Sequence, residues 1–148
     1  MVYNIPYLQI SQALDTHLVQ DIAHAINGEY SAIACYAQLA ELADTQEEKE
    51  RISEIREDEI KHYRAFSNIY FQLTGKQPEP KITEKCPDNF KEGLKFAIKD
   101  EQKTVDFYLD LADRTRNRNI KRAFQRAAAD EQNHAVWFLY YYTLQCCG

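Results

Sequence analysis

The sequence is poor in glycine and proline, the two residues that most often mark turns. Its 148 residues include 4 Gly and 4 Pro, whereas average usage would give roughly 18 of the two together. Alanine and leucine far outnumber valine, and both suit helices better than pleated strands. We therefore expect an all-α fold of a few long helices. A chain of this length builds one core, so residues 1–148 are interpreted as a single domain.

Other absences exclude several classes of function. The chain has 18 Lys and Arg against 23 Asp and Glu, a net charge of −5, so we expect no nucleic-acid partner. No apolar run approaches the roughly 20 residues that span a bilayer, and the amino terminus shows no signal-peptide pattern. These features predict a cytoplasmic protein with no membrane partner.

Cysteine is also scarce. The four cysteines, Cys35, Cys86, Cys146 and Cys147, form no C-x-x-C pair, which excludes a zinc knuckle or a rubredoxin-type iron centre. Free thiols are expected.

Four segments carry apolar residues at alternating steps of four and three, the period of an amphipathic helix. They cover residues of about 16–43, 45–74, 88–115 and 118–144. Thr45 and Glu48 form a T-x-x-E capping box that begins the second helix, and Gly75 supplies its left-handed stop. Residues 76–87 hold three of the prolines without a helical period, which indicates a long connector.

A shift of 72 residues aligns the second pair of helices with the first. Ionisable residues normally lie on the solvated face of a helix. Several ionisable residues that are identical in the two pairs nevertheless fall on the predicted apolar seams. The agreeing positions include Glu29 with Glu101, Tyr36 with Tyr108, Asp58 with Asp130, Glu59 with Glu131, and His62 with His134. In an antiparallel hairpin, residues equidistant from the turn lie at one height. The spacing therefore predicts four carboxylates and two imidazoles at one level of the interior.

Such a cluster requires a cation. Four buried carboxylates cannot all remain ionised, because burial and mutual repulsion both raise their pKa values. Two divalent ions would balance the four negative charges. Carboxylate and imidazole ligands suit iron or manganese, and we expect two iron ions, with manganese as the alternative.

Four motifs carry a resemblance to a known family. They are G-E-Y at 28–30, D-E-I-K-H at 58–62, D-E-Q at 100–102 and D-E-Q-N-H at 130–134. A Glu from each of two helices and a Glu-x-x-His from each of the others is the pattern of carboxylate-bridged bundles. On these motifs the chain resembles the ferritin-like superfamily, rubrerythrins and bacterioferritins in particular, from about residue 16 to 144. The resemblance implies a four-helix bundle of two hairpins joined by a long crossover, with a diiron centre.

The resemblance also implies a role for each residue. The six ligands would be bridging Glu59 and Glu131, terminal Glu29 and Glu101, and one imidazole per ion, His62 and His134. Asp58 and Asp130 match acids that hydrogen-bond the ligand imidazoles, with a solvated surface position as the alternative.

Tyr36 and Tyr108 follow a lone Glu by seven residues. They are either core aromatics with a hydrogen-bonded hydroxyl, or catalytic groups that donate to ligand carboxylates or relay electrons, as tyrosines near such centres do in relatives.

The chain departs from the resembled families at three points. Thr104 stands where rubrerythrins typically carry a further acid. Rubrerythrins commonly carry a rubredoxin domain, which the four cysteines of this chain cannot build, so we expect an external electron donor. Met1 is the only methionine, and bacterioferritins bind haem through methionine, so no haem is expected.

Residues 137–144 (WFLYYYTL) are apolar around the whole helix. We place residues 69–71 (IYF) at the same end of the bundle and predict a homodimer interface there, with a wide internal core as the alternative.

These observations predict a diiron oxidoreductase that oxidises ferrous iron or reduces hydrogen peroxide or dioxygen, with Glu59 and Glu131 at the reacting centre. Two alternatives remain open: an iron-binding or structural protein without significant turnover, and a manganese catalase-like enzyme.

Overall fold

The computed structural model describes residues 5–147, with side chains from residue 16 onward. This part of the chain forms four helices: α1 (Ile5–Leu42), α2 (Gln46–Thr74), α3 (Phe90–Arg114) and α4 (Arg118–Cys147). The predicted all-α bundle is confirmed. α1 begins earlier than the expected start near residue 16, because its first turns carry no strict apolar seam from which to predict them. None of the helices in the described range combines the length and apolarity that a membrane crossing requires.

Local capping sets the helix ends. Glu48 N donates to Thr45 Oγ1 at 3.2 Å, and Thr45 N donates to Glu48 Oε2 at 3.1 Å, which completes the predicted capping box. Gly75 ends α2 with φ of 73°, a conformation that glycine adopts without steric cost. Asn89 caps α3, since its side chain accepts a hydrogen bond from the backbone of Glu92 at 3.1 Å.

The helices pack as two hairpins. α1 lies along α2, and α3 lies along α4. The hairpins meet through contacts of α1 with α3 and of α2 with α4. A Cβ atom on Gly93 would lie 2.6 Å from Leu39 Cδ1, so the missing side chain allows α3 to approach α1 closely.

The connector between α2 and α3 follows α1 in the same direction as that helix. Its contacts advance in step along α1: Lys81 N to Asn27 Oδ1 at 2.9 Å, Thr83 N to Ser31 Oγ at 2.9 Å, and Gln38 Nε2 to Pro87 O at 3.2 Å. α3 therefore starts beside the end of α1 and runs parallel to α2. This is the long crossover that the sequence predicts.

Two apolar clusters fill the bundle on either side of a charged level. One contains Leu39, Ile52, Leu94 and Phe138, near the α1–α2 turn. The other contains Ile22, Phe66, Leu111 and Phe124 at the opposite end, where the rings of Phe66 and Phe124 stack with centroids 4.1 Å apart. The buried Glu and His residues from the middle of each helix lie between the clusters.

The predicted placement of residues 69–71 beside residues 137–144 is wrong. Trp137 and Tyr142 pack against the cluster near the α1–α2 turn, whereas Ile69 and Tyr70 pack at the opposite end. The reason is topological: α2 and α4 run antiparallel, so their carboxyl ends lie at opposite ends of the bundle. The carboxyl end of α4 exposes a stripe formed by Val136, Leu139, Tyr140 and Leu144, and a homodimer contact there remains a prediction.

The expectation of free thiols is also wrong for two cysteines. Cys35 in α1 and Cys86 in the connector form a disulfide with their Cα atoms 5.1 Å apart. The connector brings together two residues that are 51 positions apart in the sequence, a pairing that the spacing of cysteines does not indicate. Cys146 and Cys147 are free and exposed.

We expect reduction of the Cys35–Cys86 disulfide to lower the free energy of unfolding by about 4 kcal/mol, since the bond closes a loop of about 50 residues in the unfolded chain. Urea unfolding with and without reductant measures this change. A Cys35→Ser, Cys86→Ser double variant should already have the lower stability and should not respond to reductant. Four reactive thiols in the untreated native protein would contradict the disulfide.

Candidate metal centre

Each helix contributes from its middle to the charged level of the bundle. α1 and α3 each supply one buried Glu, and α2 and α4 each supply a buried Glu followed one turn later by a buried His. The six residues are Glu29, Glu59, His62, Glu101, Glu131 and His134, each with 6% or less of its surface exposed. The structure thus brings together all six residues that the sequence singled out as ligands.

The six side chains form two overlapping groups. Glu29 and His62 lie on one side, Glu101 and His134 lie on the other, and both groups include Glu59 and Glu131. Within each group the potential ligand atoms lie within 4.8 Å of one another. Two ions held by these groups would share two carboxylates.

The Nδ1 atoms of both imidazoles face the carboxylates. His62 Nδ1 lies 3.2 Å from Glu131 Oε1 and 3.6 Å from Glu29 Oε1. His134 Nδ1 lies 2.8 Å from Glu59 Oε1 and 3.2 Å from Glu131 Oε2. The same ring nitrogen therefore points into the cluster from both halves of the bundle.

The opposite nitrogen of each imidazole contacts an aspartate of the other hairpin. His62 Nε2 lies 2.9 Å from Asp130 Oδ2, and His134 Nε2 lies 3.1 Å from Asp58 Oδ2. A carboxylate in this position fixes the orientation and tautomer of a metal-binding imidazole. Both aspartates are partly buried, and each touches an imidazole as well as solvent.

Two of the buried tyrosines, Tyr36 and Tyr108, also make contacts between the hairpins. The Tyr36 hydroxyl donates a hydrogen bond to Glu101 Oε1, and the Tyr108 hydroxyl donates one to Glu29 Oε1. Burial and the nearby carboxylates raise the pKa of both phenols well above the usual value. Each phenol therefore keeps its proton and serves as a donor.

Without a metal, the carboxyls compete for protons. Burial raises the pKa of Glu59 and Glu101 well above the usual range, and repulsion from neighbouring carboxylates adds to this effect. Burial, together with Glu59 and Glu29, raises the pKa of Glu131 to about 7. Burial also opposes ionisation of Glu29, but hydrogen bonds from its neighbours outweigh it and lower the pKa of that group.

Burial and the neighbouring carboxylates have opposite effects on the pKa of each imidazole. Burial disfavours the charged form of His134, but hydrogen bonds to Glu131 and Glu59 raise its pKa to about 12. Burial also disfavours the charged form of His62, but the nearby carboxylates of Glu131, Glu29 and Glu59 raise its pKa. The metal-free cluster therefore holds protons that divalent ions would displace.

The donor atoms fit metal ions better than they fit one another. Glu29 Oε2, His62 Nδ1 and Glu131 Oε1 are buried and make no directed hydrogen bond. His62 Nδ1 and Glu131 Oε1 are 3.2 Å apart without forming one. Buried polar atoms are normally paired, so converging, unpaired nitrogen and oxygen atoms indicate a site for cations.

The sequence pattern does not predict that two further acids, Asp100 and Glu84, lie near the cluster on the side that faces the connector. Asp100 is half-buried next to Glu101, and burial and the carboxylate of Glu84 raise its pKa to about 7. The recurring D-E dipeptide at residues 58–59, 100–101 and 130–131 is a signal that could have drawn attention to Asp100. Nothing local in the sequence places Glu84, a connector residue, beside α3.

The fold and the buried Glu–His cluster define a ferritin-like four-helix protein with a metal site. A two-domain protein from Anabaena variabilis ATCC 29413, described as containing DJ-1/ThiJ/PfpI-like and ferritin-like domains, shares this fold with a TM-score of 0.72. It is 14% identical, and the match covers 90% of this chain and 38% of that protein.

The model of the rubrerythrin family matches residues 20–142, and the chain belongs to this family. It is 56% identical to the uncharacterized protein YhjR of Bacillus subtilis (strain 168), a match that covers 94% of this chain and 92% of that protein. A hypothetical protein from Pyrococcus furiosus is 28% identical with a TM-score of 0.74, and the match covers 86% of this chain and 89% of that one.

Proposed function

We propose that this protein is a non-haem diiron oxidoreductase that oxidises ferrous iron with hydrogen peroxide or dioxygen. The observation that carries the proposal is the pair of four-ligand groups that share Glu59 and Glu131. Membership of the rubrerythrin family supports the same interpretation. Buried oxygen and nitrogen donors without thiolate suit iron or manganese, and we propose two iron ions per chain.

Each residue of the cluster has a defined task in this proposal. Glu59 and Glu131 would be shared by the two ions, because both groups contain them. Glu29 with His62 would complete the ligands of one ion, and Glu101 with His134 those of the other.

Bound as a pair, two ferrous ions supply the two electrons that reduce one hydrogen peroxide molecule, with two protons, to two water molecules. The chain holds the ligands ready for this chemistry. Tyr36 and Tyr108 donate to the two terminal carboxylates and restrict their rotation. Asp58 and Asp130 contact the Nε2 atoms of the imidazoles and fix the orientation of the rings. The apolar clusters on both sides exclude bulk water.

The electrons that return the centre to the ferrous state come from an external donor, as the cysteine pattern predicts. Thr104 replaces the acid that rubrerythrins typically carry at this position, so it offers no carboxylate to a moving ion. Its hydroxyl donates to the backbone oxygen of Asp100 at 2.8 Å.

An anaerobic ferrous titration followed by addition of oxidant tests the proposal. We expect two ferrous ions bound per chain and a rapid rise of near-ultraviolet ferric absorption when peroxide or oxygen is added. The relative rates with the two oxidants identify the preferred one. A Glu131→Ala variant is the control, since it should show only the slow oxidation of free iron.

Two results would overturn the proposal. Tight iron binding without fast oxidation would indicate a binding protein. Rapid evolution of oxygen from peroxide by the manganese-loaded protein, together with slow ferrous oxidation, would indicate a manganese catalase-like enzyme.

A further inference from the structure

A cavity opens at the surface between α1, α3 and the connector. Its volume is about 260 Å³. Exposed residues of all three elements line its outer part: His24, Thr83, Glu84 and Lys103. The cavity therefore communicates with solvent on the side of the bundle covered by the crossover.

A much smaller cavity lies deeper, against the carboxylate cluster. It has a volume of about 10 Å³ and is lined by Glu29, Glu59, Glu101 and Glu131 among others. This is about the space that one water molecule needs.

Four residues line both cavities: Gly28, Asp100, Thr104 and Tyr108. These residues form the boundary between the surface cavity and the metal cluster, and we call them the throat.

Gly28 is the member of the throat whose identity needs an explanation. It lies inside α1, where glycine costs about 1 kcal/mol relative to alanine. Its φ is not positive, and a Cβ atom added there would meet no atom within 4 Å. Neither backbone conformation nor packing therefore requires glycine at this position. The effect of the missing side chain is to leave the space beside Glu29 open.

Carboxylates occur at three depths along this path. Glu84 lies at the exposed rim, Asp100 lies in the throat, and Glu29 lies at the inner end. Glu29 is 1% exposed, and its Oε2 atom has no hydrogen-bond partner. Ser31, Thr83 and Thr104 add hydroxyl oxygens. Oxygen donors at successive depths suit a divalent cation that sheds its water in steps.

We propose that this cavity is the route by which divalent metal ions enter the centre, with Gly28 and Thr104 setting the width of the throat. The inference rests on the proposed function, because it concerns loading of the same two-ion site. It adds that residues of the throat, which do not bind the metal in its final position, determine how fast an ion reaches the site.

Stopped-flow binding of Co²⁺ tests the route, since cobalt reports occupancy by its visible absorption without oxidation. Gly28→Leu fills the throat from α1, and Thr104→Leu fills it from α3. We expect both to slow Co²⁺ uptake by about tenfold or more, which corresponds to about 1.4 kcal/mol added to the barrier. Gly28→Ala, which adds one methyl group, should slow uptake less than Gly28→Leu.

The equilibrium distinguishes a blocked route from a damaged site. A narrower throat slows entry and exit alike, so removal of Co²⁺ by a chelator should slow by the same factor, with two ions still bound per chain at saturation. Gln102→Leu, which adds an apolar side chain on the exposed face of α3, should leave both rates unchanged.

Uptake at the wild-type rate in both leucine variants would overturn the route while leaving the proposed function intact. Weaker equilibrium binding with an unchanged uptake rate would overturn it as well. If the wild-type protein bound no Co²⁺, Mn²⁺ or Fe²⁺, the proposed centre itself would be wrong, and the route with it.

Discussion

Glu59→Ala is expected to abolish binding of both metal ions, whereas Glu29→Ala and Glu101→Ala should each lose one. Glu59 belongs to both four-ligand groups, while Glu29 and Glu101 each belong to one. Removing a shared carboxylate takes a ligand from both ions at once, which leaves each group with three of its four ligands. Metal analysis after equilibration with Fe²⁺ without oxygen, or with Mn²⁺, measures the number of ions per chain.

Glu48→Gln is the matched control for these variants. Glu48 is also a buried glutamate of α2, at 4% exposure, but it belongs to the capping box at the start of the helix. This variant should weaken the helix cap by about 1 kcal/mol and still bind two ions. Full stoichiometry in Glu59→Ala, or equal losses in all four variants, would contradict the assignment of Glu59 as a shared ligand.

Metal loading is expected to raise the melting temperature by about 10–20 °C. An ion present at 100 times its dissociation constant stabilises the folded state by about 2.7 kcal/mol, so two sites give about 5 kcal/mol. For a chain of this size each kcal/mol shifts the melting temperature by about 2–4 °C. Melting followed by circular dichroism with and without excess Mn²⁺ checks the shift.

The size of this shift should increase with pH. The folded-state pKa of Glu131 is raised from 4.5 to about 7, so the metal-free folded protein holds a proton that the unfolded chain has released. Its contribution to stability is present below pH 4.5 and is lost as the pH rises through about 7. The raised pKa values of Glu59, Glu101 and both imidazoles act in the same direction.

Glu59→Gln separates the two effects. The amide keeps the shape of the side chain but cannot ionise, so this variant without metal should be more stable than the wild type at pH 8 and should gain nothing from Mn²⁺. A metal-induced shift that is larger at pH 5.5 than at pH 8 would contradict the proton competition described for the cluster.

The positions of the ligands could be predicted from the sequence because they depend on regular geometry. In straight helices joined by a short turn, distance from the turn determines height, and this rule brought Glu29 opposite Glu59 and Glu101 opposite Glu131. The capping box at Thr45 and the stop at Gly75 depend only on neighbouring residues. These features are local or periodic, and both kinds are visible in a single chain.

The errors concern features that depend on tertiary structure. The Cys35–Cys86 disulfide depends on the path of an irregular connector, which no period describes. The positions of the ends of α2 and α4 depend on the direction of each helix in the bundle, which the apolar period of a helix does not specify. The throat at Gly28 depends on a side chain that is missing, and an empty space has no signature in the sequence until its neighbours are known.

The contacts that Tyr36, Tyr108, Asp58 and Asp130 make with the ligands all cross from one hairpin to the other. Tyr36 donates to Glu101 and Tyr108 to Glu29, while His62 meets Asp130 and His134 meets Asp58. Each hairpin therefore contains one residue of every type in these contacts, but the residue that each one contacts lies in the other hairpin. Two copies of one hairpin, docked about a twofold axis, would regenerate each of these contacts. The arrangement of the bundle is that of a symmetric dimer of two hairpins, which the crossover joins covalently into one chain.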